Sequence, residues 1–129
     1  MWHEILDRNI FISNLYNEVP QLKDVRIIAI KIDDEGRRVS INFNMPKFAD
    51  NPPLKWKNQN YNTVFVELDF FDVQEFSMNS SDKIYRGDIN MKSDTDGNSE
   101  VNITGSLNLK LKAGYGMIQS VSGYIDTLE

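Results

Sequence analysis

Thr63-Val64-Phe65-Val66-Glu67-Leu68-Asp69-Phe70-Phe71 repeats with a period of two. Val64, Val66, Leu68 and Phe70 share one parity, and Phe65, Glu67, Asp69 and Phe71 share the other. Successive side chains of a strand point to opposite faces. The stretch therefore reads as a β-strand with one face in a core and one face that mixes aromatic rings with carboxylates. A helical period of 3.6 would scatter the four aliphatic positions around a cylinder and bury none of them well.

Working outward, residues 37–45 carry the same signal, with Val39, Ile41, Phe43 and Met45 opposed to Ser40, Asn42 and Asn44. Residues 25–33 are rich in β-branched side chains, and Asp33-Asp34-Glu35-Gly36 between the two runs predicts a hairpin turn with glycine in the left-handed position. Residues 46–60 hold three of the four prolines and no alternation, which predicts a long irregular connection. Beyond residue 71, strands are expected at 76–79, at 84–92 and at 117–125. Val101, Ile103, Leu107, Leu109, Leu111 and Ala113 fall on one parity, which favours a single bent strand across Gly105-Ser106 over a tight hairpin there. Toward the N-terminus, residues 9–18 place Ile12, Leu15 and Tyr16 at i, i+3 and i+4, the spacing of a short amphipathic helix that Pro20 would end. The expected fold class is α+β: a short N-terminal helix followed by a meander of seven or eight mostly antiparallel β-strands, forming one domain over residues 1–129.

Composition narrows the chemistry. The 129 residues include no cysteine and one histidine. Cysteine nucleophiles, thiolate metal sites, a two-histidine metal site and a conventional Ser/His/Asp triad are thereby removed. No catalytic residue, metal or cofactor is expected. The formal charge is −5 and uneven: residues 1–64 carry nine basic and eight acidic side chains, residues 65–129 five and eleven. Such a balance argues against nucleic acid as a partner, because phosphate binding draws on clustered Lys and Arg. The N-terminus shows no basic stretch ahead of an apolar run, and the longest aliphatic run is Ile27-Ile28-Ala29-Ile30. No membrane association is expected, and a cytoplasmic location is. Asp94-Thr95-Asp96-Gly97-Asn98 begins like a calcium loop, but the sixth and twelfth positions are Ser99 and Gly105 where Gly and Glu are required, so a β-turn is expected.

The informative constellation is the mixed aromatic and acidic face of residues 63–71. Phe65 and Phe71 offer interface anchors, and Glu67, Asp69, Asp72 and Glu75 offer carboxylates that would steer a basic partner. Two placements stay open: the rings face a partner, or they lie under the N-terminal helix. The Pro52-Pro53-Leu54-Lys55-Trp56 segment is a second candidate contact, against a reading in which Trp56 pins this loop to the core. Trp56, Tyr61 and Tyr85 with the many strand asparagines suggest the alternative function, a small-ligand or carbohydrate-binding β domain.

Trp2, the helix around Asn14 and Leu15, the Pro52–Trp56 segment ahead of Tyr61-Asn62, the Val64–Phe70 alternation and Tyr124 together resemble immunity protein family 50 of bacterial polymorphic toxin systems. The resemblance implies a non-enzymatic protein that binds and neutralises a cognate toxin. It brings no site residues with it. The candidate surface therefore rests on Phe65, Glu67, Asp69, Phe71, Asp72 and Glu75, with a cognate toxin protein as partner and the oligomeric state left open.

Overall fold

The computed structural model describes residues 1–127. Both alternating runs become neighbouring antiparallel strands, β2 (Arg38–Asn44) and β3 (Thr63–Ser80), in register from Arg38 opposite Phe71 to Asn44 opposite Phe65. Val39, Ile41, Phe43, Val64, Val66, Leu68 and Phe70 are all fully buried, so the parity read from the sequence is the parity of the core. Burying each such side chain contributes about 1.5–3 kcal/mol. β1 (Val25–Asp33) pairs with β2 through the turn at 34–36, where Gly36 has φ +87°.

Three further strands follow: β4 (Arg86–Ser93), β5 (Ser99–Gly105) and β6 (Leu107–Tyr124). The six strands close a barrel in the order β1-β2-β3-β6-β5-β4. Two three-stranded meanders are thus joined along the whole length of β3 and β6. They are joined again by a narrow seam in which Val25 faces Gly87 and Arg26 faces Arg86.

The strand count is six rather than seven or eight because two expected breaks are only bends. Residues 63–71 and 76–79 belong to one strand, interrupted by Asp72 at φ +54° and by a register shift between Val73 and Glu75. The strand expected at 117–125 is the second half of β6, which runs unbroken through Gly114 and Gly116. The reverse correction applies at Gly105-Ser106, where the chain turns back in a tight hairpin instead of continuing as one bent strand. The Asn108 side-chain amide donates to the Gly105 carbonyl at 3.1 Å, and the Ser106 N–H donates to the Arg86 carbonyl at 2.9 Å. Only glycine fits the position: a Cβ on Gly105 would lie 2.1 Å from the Arg86 carbonyl oxygen and 2.6 Å from the Gly87 Cα.

The N-terminal helix α1 spans Ile10–Leu15 and buries Ile12 and Leu15. It stops five residues before Pro20, and the Leu15 carbonyl takes the Asn51 N–H at 2.9 Å. Ahead of it, Asp7 bridges to β6, accepting from the Ile118 N–H and donating to the Gly116 carbonyl, each at 3.0 Å. The connection at 46–60 is not wholly irregular, because Leu54–Asn58 forms a second short helix, α2.

Candidate functional site

β3 has two faces with different fates. Its inner face, with that of β2, meets the N-terminal segment: the Trp2 ring meets Phe43 of β2 edge to face at 6.1 Å, and the Leu6 side chain and the Phe70 ring together fill the space a Cβ on Gly116 would take. Phe65, Glu67, Asp69 and Phe71 point the other way. The reading in which Phe65 and Phe71 lie under the helix is therefore not what the fold builds. Both rings are half-buried, each against a tyrosine of β6: Phe65 meets Tyr124 edge to face, and Phe71 stacks on Tyr115 with centroids 5.0 Å apart and planes 19° apart.

Between the two aromatic pairs lies a polar strip. Ser40, Asn42 and Asn44 of β2 face the same side and are buried beneath their larger neighbours. Ser120 Oγ donates to Glu67 Oε1 at 2.5 Å, and the Tyr124 hydroxyl donates to Asn44 Oδ1 at 3.0 Å. The Asn42 Oδ1 is buried with no hydrogen-bond partner among the described residues.

The six expected site residues separate into three groups. Phe65, Glu67 and Phe71 share the outer face and are partly accessible. Asp69 shares that face but is 3% exposed, with one oxygen on Arg38 Nη2 at 2.8 Å and the other on Ser40 Oγ at 2.6 Å. Its charge is met inside the protein. Asp72 and Glu75 are exposed and lie past the kink, Asp72 against Gly114 and Glu75 opposite Lys112. Sequence reasoning missed Arg38, Tyr115 and Tyr124, which complete the face from β2 and β6. No local signal identifies them, because they reach β3 only through strand register.

The second candidate contact is core. Trp56 is 8% exposed, ringed by Phe11, Phe48 and Tyr61 at 6.0, 6.2 and 6.4 Å, and rests on Gly123. Trp2 is also buried and donates from Nε1 to the Pro20 carbonyl at 3.0 Å. Neither tryptophan is free to stack on a sugar. Asp94 closes a β-turn, accepting N–H groups from Asp96 and Asn98 at 2.8 and 2.9 Å. Among the described residues no group of three or more His, Asp or Glu side chains could hold a metal ion, and no helix is long and apolar enough to cross a membrane.

A small β-barrel with its inner sheet face in the core and its outer face on β2, β3 and β6 partly accessible, edged by aromatic pairs, presents a sheet surface. The chain matches the model of the family described as Immunity protein 50 over residues 9–124, and it belongs to that family. It is accordingly an immunity-type, non-enzymatic protein of a polymorphic toxin system, and membership implies a cognate toxin partner. A search of curated proteins found no match. Among solved structures the chain is similar to an uncharacterized protein from Neisseria gonorrhoeae, with a TM-score of 0.50, 12% identity, and coverage of 76% of this chain and 92% of that one. That likeness concerns the fold alone.

Proposed function

We propose that this protein neutralises its toxin by covering it with the outer face of β2, β3 and β6, in the cytoplasm of the cell that carries it. The observation that carries the proposal is the asymmetry of β3: one face is consumed by the core, whereas the other presents Phe65, Glu67 and Phe71, partly accessible, with Tyr115 and Tyr124. Aromatic side chains flanked by hydrogen-bonding groups are what interface hot spots are made of. Asp72 and Glu75, neither ion-paired among the described residues, extend the surface with negative charge suited to a basic toxin. Burial of both tryptophans supports this reading over the carbohydrate-binding one.

The test is co-expression with the toxin gene that neighbours it. We expect rescue of growth and one-to-one capture, both weakened when Phe65 and Glu67 are replaced by alanine. A toxic neighbour that is neither captured nor neutralised overturns the proposal. Rescue untouched by any substitution on this face moves the contact elsewhere on the barrel.

A further inference from the structure

Across β2, β3 and β6, Arg38, Phe71 and Tyr115 occupy one row, each directly opposite the next. Their side chains form a column. The Arg38 guanidinium lies 5.5 Å from the Phe71 ring centroid on one side, and Tyr115 stacks on Phe71 at 5.0 Å. One end of this column is capped by the chain's own cation. The other end is Tyr115, which is 52% exposed and has Phe71 as its only ring contact among the described residues. β5 follows β6 only as far as Ala113, and the N-terminal segment meets that edge at Met117 through Asp7, beyond Tyr115.

Phe71 and Tyr115 line an open recess of about 670 Å³ together with Asp33, Asp34, Asp72, Arg37 and Arg38. Each arginine is ion-paired, Arg37 with Asp34 at 2.9 Å and Arg38 through Nη2 with Asp69 at 2.8 Å, while the buried Arg38 Nε has no hydrogen-bond partner among the described residues. Asp72 has no ion pair among the described residues. Three carboxylates against two arginines leave the recess net negative, which disfavours an anion, and a bare aliphatic group would have to desolvate the Asp72 carboxylate. A planar cation gains twice, from the ring and from the carboxylate. Arginine fits better than lysine because its flat, weakly hydrated guanidinium stacks on an aromatic face while its N–H groups fork onto a carboxylate.

We propose that this recess receives an arginine side chain of the toxin, packed on the exposed ring of Tyr115 and hydrogen-bonded to Asp72. The proposal rests on the immunity reading and names the chemistry of one contact within it. It places a polar anchor at the end of the face beside the β1–β2 turn.

The experiment has two arms. The first measures toxin affinity for the wild type, Tyr115→Leu, Tyr115→Phe and Asp72→Asn. Asparagine tolerates the left-handed backbone at position 72, and both positions are exposed, so circular dichroism should show intact folds. Tenfold or greater losses are expected for Tyr115→Leu and Asp72→Asn, with Tyr115→Phe close to wild type. The second arm titrates isotope-labelled protein with N-acetyl-arginine amide and follows amide shifts. Saturable changes at Tyr115 and Asp72, lost in Tyr115→Leu and weaker with the lysine analogue, are expected. Toxin bound equally by wild type and both loss variants overturns the arginine contact while the immunity reading stands. Failure of the wild type to bind any toxin overturns the immunity reading, and the titration then judges the recess alone: absence of saturable shifts overturns it too.

Discussion

Asp69 has the sequence position of a solvated carboxylate and the surroundings of a structural one. Both its oxygens are engaged, by Arg38 and by Ser40, in a site almost closed to water. Replacing it with alanine strands a guanidinium and a hydroxyl, which should cost about 1–3 kcal/mol of stability by urea denaturation. Glu67→Gln keeps a partner for Ser120 and should stay within about 0.5 kcal/mol of wild type. A loss of toxin binding in Asp69→Ala would then report an altered fold, whereas a loss in Glu67→Gln would report contact. Equal stability of the two variants would refute this division of roles. The distinction was not legible in the sequence: Glu67 and Asp69 have the same parity and the same chemistry, and only the register of β2 sets Arg38 and Ser40 beside one of them.

Elements were legible where their signals are local. Val39–Phe43 and Val64–Phe70 announce their strands by parity, Ile12 and Leu15 mark the buried stripe of α1, and Gly36 marks its turn. Signals failed where the backbone departs from its period. The left-handed Asp72 and the adjoining register shift break the alternation of β3 without ending it, and Gly105-Ser106 preserves parity across a reversal of direction. The tie between α1 and the loop at 46–51 is also invisible in sequence, yet it carries a pH signature. The Asp50 carboxyl is held below its ordinary value of 3.8, first by the Asn17 N–H at 3.0 Å and then by Lys47. A carboxyl whose folded pKa lies below its unfolded one stabilises the fold above the unfolded value and ceases to as pH falls through the folded one. Asp50→Asn should therefore melt below wild type at neutral pH, and the gap in melting temperature should narrow as pH drops beneath 3.8. A gap independent of pH would show that the tie does not act through this charge.

At the scale of the whole molecule, charge acts through distance rather than contact. The five basic and eleven acidic side chains of residues 65–129 give the second half its negative field, and Glu67, Asp72 and Glu75 bring that field to the proposed face. Fields of this kind accelerate encounter with a basic partner and are screened by salt. Glu75→Lys should slow toxin association about tenfold at low ionic strength and very little at high salt, as stopped-flow measurement would show. Association indifferent to both changes would place the docking surface away from this half. The topology adds a constraint on assembly. β3 and β6 zip together around the nested β4–β5 hairpin, and Ser80 with Leu107 is the pair closest in sequence while Thr63 with Tyr124 is the most distant. Loop-closure entropy makes the near end cheap to form and the far end costly. Phe65 and Tyr124, which edge the proposed face, lie at the costly end. A chain caught midway in folding therefore lacks the complete proposed surface, and on that proposal only finished molecules protect against the toxin.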